Sequence, residues 1–244
     1  MILVALGLLG FGMADLVRWS PEQVSGRRAA TAVAIGIAGA VALAALSGAS
    51  LTQALAVAGV SLAVLGVWVG CDYLPSAARL SGVQLAWAGA VLFALFAFSG
   101  SVNSISGPLE RWYEQLGFGF VESVALDQFV LGVSAAMFLT ASGNRIVRLL
   151  LEEARVSLKN ESEVPGGRVL GPLERLIVFA IVLAGDPAAA AIVITGKGLL
   201  RFPEIRRDSE KPGPDARTEY FLIGTFASLV VAAPLAVLVL AADL

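Results

Sequence analysis

Histidine is absent from this 244-residue chain, and cysteine occurs once, at Cys71. Without His there is no imidazole general base, no His-centred triad and none of the commonest zinc ligand. A single thiol excludes an internal disulfide and a cysteine-cluster metal site, and Cys71 reads as a small buried residue at a helix end. Charge is scarce too: charged residues make up 15% of the chain, against about 25% in soluble domains. The net charge of −2 argues against nucleic acid as a partner. No stretch is long and polar enough for a soluble domain.

Apolar sequence is what the chain has in excess. Hydrophobic residues make up 57% of it, with a mean hydropathy of +0.83. One soluble core cannot hide that much, and the excess comes in blocks, so the expected solvent is a bilayer. A spanning helix needs about 20 apolar residues. Candidate segments are 1–17, 29–47, 51–70, 83–99, 123–142, 172–184, 187–200 and 218–241. The expected fold is all-α, a polytopic transmembrane bundle of about 8 hydrophobic segments. Three regions follow: a five-helix membrane part over 1–142, a charged cytoplasmic connector over 143–171, and a C-terminal membrane part over 172–244. The apolar start from Ile2 to Met13 lacks a basic leader and an Ala-x-Ala exit, so it reads as a retained first membrane helix.

Basic residues set the expected orientation. Alternate loops hold Arg18, Arg27 and Arg28, then Arg79, then a group from Arg145 to Arg175, then one from Lys197 to Arg217. Together these are 16 of the 17 Lys and Arg, and only Arg111 falls on the other side. Both termini are therefore expected outside and the basic loops in the cytoplasm. Trp19, Tyr73 and Tyr220 read as anchors at the cytoplasmic ends, Trp112 and Tyr113 at the outer end. The connector, with Glu152, Glu153, Arg155, Lys159, Glu161 and Glu163, reads as a solvated helical extension ending at Pro165-Gly166-Gly167.

Small residues suggest where helices pack. Gly59, Gly66 and Gly70 lie on one stripe, and Ala86, Ala90 and Ala94 on another. Such stripes let backbones approach closely in lipid. Gln53 and Gln84 are candidates for hydrogen bonds between helices.

The most informative charges lie in the last third. Gly171-Pro172 is expected to start a helix, with Glu174 in its first turn, where the helix dipole favours an anion. Gly185-Asp186-Pro187 is a tight-turn signal. Arms of about 15 Å on either side of Asp186 put Glu174, Arg175 and Lys197 at one depth, in a short or re-entrant hairpin. Glu219 and Tyr220 open the last segment, within reach of Lys197, Arg201 or Arg175 if the helices are adjacent, and Asn144 and Arg145 join from the end of the fifth. Ionisable groups in such apolar context pair, line a cavity or mark a site. The candidate cluster is therefore Glu174, Arg175, Lys197, Arg201, Glu219, Tyr220, Asn144 and Arg145. Its plainer reading is a set of ion pairs and snorkelling side chains that fix helix ends. Gly196-Lys197 is not a phosphate loop, because Ala191 and Gly198 stand where that motif needs Gly and Ser or Thr.

The pattern Gly171-Pro-Leu-Glu174-Arg175, Gly196-Lys197, Arg201-Phe202 and Glu219-Tyr220-Phe-Leu-Ile-Gly224-Thr225 resembles the C-terminal region of a family of bacterial multi-pass inner-membrane proteins, a domain of unknown function. The likeness covers roughly residues 166–235 and departs at Gly198, where such relatives carry Ser. It implies the bacterial inner membrane as location and implies no activity. No catalytic residue, cofactor or metal is expected. The expected partners are the lipid bilayer and a membrane protein or a second copy of this chain. The leading functional expectation is a non-enzymatic structural or partner-binding membrane subunit. The alternatives are a small-solute or ion channel or transporter, and a protein acting on lipid headgroups through Arg145, Arg148, Arg175 and Lys197.

Overall fold

The computed structural model describes residues 1–18, 25–73, 81–101, 105–117, 124–154, 167–186, 188–189, 191–193, 195–196 and 216–242. The secondary structure of these residues is helical, with no strand. The helices are α1 (Ile2–Val17), α2 (Gly26–Leu46), α3 (Leu51–Gly70), α4 (Ser81–Ala97), α5 (Pro108–Glu114), α6 (Leu126–Thr140), α7 (Ser142–Glu153), α8 (Gly167–Leu183) and α9 (Ala216–Ala241). Three stretches are long and apolar enough to cross a membrane: α2, α3 and Leu222–Ala241 of α9. Counted as one span, α6 and α7 would make a fourth, bent by 45° at their junction. Shorter apolar helices are α1 and α4. The described residues are thus all-helical, with three helices, or four counting the bent pair, of membrane-spanning length and composition. Large exposed side chains agree: Leu51, Leu55 and Leu62 on α3, Phe93 and Phe96 on α4, and Phe226 and Val230 on α9 are the kind of surface that lipid covers.

The first segment is the centre of the bundle. Buried Val4, Ala5, Leu6 and Gly10 face different directions around α1, and a helix buried on all sides belongs in a core. α2, α3, α4, α6 and α7 pack around it. The closest approach is to α2, where a Cβ on Gly36 would lie 2.7 Å from the Gly10 carbonyl oxygen.

The small-residue stripes named in the sequence are not this contact. Gly59, Gly66 and Gly70 have open space where a side chain would stand, and Ala86, Ala90 and Ala94 are exposed. α4 packs instead through Gln84 and Ala88, and α3 through Leu65, Trp68 and Val69. Gln53 does not bridge helices; it forms a capping box with Ser50 at the start of α3.

Two faces are distinguishable by their loops. On one, the Ser106 N–H donates to the Ser47 carbonyl (3.3 Å). Gly48 and Gly107, both in the left-handed region (φ +81° and +87°), meet there closely enough that side chains would collide. α5 lies on this face. Its Trp112 is exposed, and its buried Tyr113 donates to the Val124 carbonyl (2.7 Å) and packs on Phe129. Burial pushes the Tyr113 phenol above its ordinary value of 10.0. Its stabilising contribution is therefore complete below about pH 10 and declines as the pH rises through the folded-state value. An alkaline absorbance titration should show a phenol ionising later than a free tyrosine, and in the Tyr113→Phe variant that late step should be gone.

The other face carries Arg18, Arg145, Arg148 and Arg175 among the described residues. The connector's first part is not a solvated extension there. α7 buries Gly143, Val147, Leu149 and Leu151, and its Val147 and Leu151 pack with Ala227 and Tyr220 of α9. The charges of this stretch sit on the opposite side of an amphipathic helix, where Arg148, Glu152 and Glu153 are exposed. The Ser81 hydroxyl at the start of α4 donates to the Glu153 carboxylate at its end (2.6 Å).

Candidate functional site

Polar side chains of the basic face form a continuous belt. It begins in the last turn of α1, where Asp15 is buried and Arg18 caps the helix. A cation is favoured at a helix C-terminus, and Arg18 folds back to pair with Asp15 three residues earlier. Asp15 also accepts from the Trp68 indole N–H, with both carboxylate oxygens 3.1 Å away. Trp68 is fully buried in the last turn of α3 and meets Phe11 edge to face at 5.4 Å.

Asp72 sits in the 3₁₀ turn Cys71–Tyr73 that follows α3. Its carboxylate accepts from Arg18 of α1, from Arg145 of α7 and from the Gln84 amide of α4 (3.3 Å). Gln84 donates as well to the Trp68 carbonyl (2.8 Å), one of the last acceptors of α3. The interhelical role read for Gln84 from the sequence is therefore present. Two carboxylates and two guanidiniums make Asp15, Arg18, Asp72 and Arg145 a group of zero net charge. Buried charges persist when paired and hydrogen-bonded in this way.

The belt continues through the first turn of α7, where Asn144 adjoins Arg145. The Asn144 side-chain amide oxygen accepts from Arg175 of α8 (3.4 Å). Arg175 is 2% exposed. It also donates to the Leu139 carbonyl (3.2 Å) and to the Ser228 hydroxyl of α9 (3.4 Å). Gly143 and Gly171 form its slot, since a Cβ on either would lie within 3.5 Å of a guanidinium nitrogen. Leu139 is in the last turn of α6, so Arg175 caps that helix from outside.

Of the residues singled out in the sequence, Asn144 and Arg175 come together, and Arg145 turns to Asp72. Tyr220 packs on α7. Glu174 is half-buried beside Arg175. It is not in a first turn, because α8 starts at Gly167 and Pro172 lies inside it. Pro172 is the sixth residue of α8, where it removes one backbone hydrogen bond, yet the helix runs on through it to Leu183. Lys197 and Arg201 lie outside the described residues, and Glu219 is described only as backbone of α9.

The turn at Gly185-Asp186 is as expected, and much of the arm that would return from it lies outside the described residues. Gly185 is left-handed (φ +79°), the Asp186 N–H donates to Ile181, and the Asp186 carboxylate accepts from the Ala189 N–H (2.9 Å). α8 is thereby closed.

The sequence reading did not single out Asp15, Arg18, Trp68 and Asp72 as a site. The signal for them was an acid in an apolar segment three residues before an arginine, and a second acid just past the end of α3. Neither family models nor characterised proteins nor solved structures give a match to this chain.

Proposed function

We propose that this chain is a non-enzymatic structural or partner-binding subunit of the bacterial inner membrane. In this reading eight apolar segments cross or enter the bilayer, both termini are outside and the belt lies at the cytoplasmic face. The resemblance of residues 166–235 to a family of bacterial inner-membrane proteins supports the location, and the distribution of Lys and Arg supports the orientation. The observation that carries the reading is the neutral set Asp15–Arg18–Asp72–Arg145. Its charges are spent on one another across α1, α3 and α7, an arrangement suited to fixing helix ends rather than to turnover.

A transport reading has one observation in its favour. α6 and α7 form a broken span with a buried cation at the break, and broken helices recur in transporters. One experiment separates the two. Purified protein in liposomes is assayed for ion and small-solute flux beside the Arg145→Gln variant. The structural reading expects no flux from either protein and a lower unfolding temperature for the variant. A flux that Arg145→Gln abolishes at unchanged unfolding temperature would overturn it.

A further inference from the structure

Sharp helix kinks arise at proline, at Gly/Ser pairs, at π-bulges or where a side chain enters the hydrogen-bond ladder. The α6–α7 junction bends by 45° around Ala141 with no proline near it. Two of the other causes coincide there. Ser142-Gly143 directly follows the bend. Arg175, from another helix, takes the Leu139 carbonyl, which in a continuous helix would accept the N–H of Gly143.

The bend also leaves a cost in place. Ser142 is fully buried, and its hydroxyl has no hydrogen-bond partner among the described residues. Buried unsatisfied groups of this kind call for a compensating gain elsewhere. Here the gains all depend on the angle of α7. Arg145 reaches Asp72, Glu153 reaches Ser81, and Val147 and Leu151 cover Ala227. A straight helix over 126–153 would regain the ladder and lose all three.

We infer that the α6–α7 junction is a latch with two positions, held in the bent one by Arg175. With the guanidinium seated on Leu139 and Asn144, α7 folds across the basic face and closes the belt between α3 and α7. With Arg175 withdrawn, α6 and α7 join into one helix and Arg145 leaves Asp72. Because Arg175 belongs to α8, displacement of α8 is transmitted to the belt. This coupling follows from the geometry whether or not the chain serves as a subunit. It is a population shift between two packings.

The test uses the full chain in lipid nanodiscs, in a Cys71→Ser background, with spin labels on Val83→Cys of α4 and Glu152→Cys of α7. Both sites are exposed. Pulsed electron resonance then reads the distance between the helices. With Arg175 intact, a short-distance population dominates. Arg175→Met removes a charge-assisted bond and should raise the long-distance population by about tenfold or more. Arg175→Lys, which keeps the charge but loses the fork, should give a smaller rise. If Arg175→Met does not fold, Arg175→Lys decides. An unchanged distance distribution in a folded variant would overturn the latch.

Discussion

Asp72→Asn is expected to be the most damaging conservative change in the chain. It removes the carboxylate that Arg18 and Arg145 share and leaves Arg145 without an ion-pair partner among the described residues. The Arg18–Asp72 pair is the buried one, its side chains 5% and 10% exposed, and breaking such a pair costs about 3 kcal/mol or more, because the remaining set carries one uncompensated positive charge. For a chain of this length each kcal/mol corresponds to about 2–4 °C in the unfolding midpoint. The expected fall is therefore about 6–12 °C, read by thermal unfolding in detergent at fixed lipid content. Glu152→Gln, on the exposed side of α7, is the control and should stay within about 0.5 kcal/mol of the parent. Equal stability of Asp72→Asn and Glu152→Gln would mean that the belt contributes nothing.

The second large effect belongs to Gly36. A Cβ there would meet the Gly10 carbonyl oxygen at 2.7 Å and the Leu65 side chain at 2.6 Å. Leu65 is itself fully buried and α1 is packed on all sides, so neither neighbour has room to move. Gly36→Ala should therefore cost about 1–3 kcal/mol as overpacking, and Gly36→Leu should abolish the folded bundle. Gly66→Ala is the contrasting case. Its Cβ meets nothing, and Ala is a better helix former by up to about 1 kcal/mol, so this variant should be as stable as the parent or more so. Side-by-side unfolding of Gly36→Ala and Gly66→Ala decides the matter; a reversed order would show that α1 and α2 do not pack as described.

This contrast explains part of what the sequence concealed. Composition and the blocks of apolar residues made an all-helical chain with helices of membrane-spanning length legible, and the turn at Gly185-Asp186 was readable from local chemistry. The stripe of Gly59, Gly66 and Gly70 pointed to close packing on the wrong face. In a helix apolar on every side, small residues mark where a backbone can approach but not which neighbour does so. Gly10 and Gly36, equally unremarkable in sequence, are where the approach occurs.

The belt was half legible for a different reason. Arg145, Asn144 and Arg175 stood out as charged or polar groups at the ends of apolar segments. Their acidic counterparts did not, because orientation is read from Lys and Arg alone and the acids drop out of that count. Asp15 and Asp72 acquire meaning only when α1 and α3 end side by side, and sequence spacing does not contain that adjacency. α7 hid in a run of alternating charges. Its apolar positions, Val147 and Leu151, sit one helical turn apart and carry the amphipathic signal that the charges masked.

The most direct test of the belt as the tie between α3 and α7 is a double-mutant cycle on Asp72 and Arg145. Asp72→Asn, Arg145→Gln and the combined variant are unfolded under identical conditions in detergent. The two residues touch, so their effects should not add. The combined variant should be more stable than the sum of the single losses by at least about 1 kcal/mol. Additivity within about 0.5 kcal/mol would contradict the account, because it would mean that the two charges do not act on one another in the folded protein.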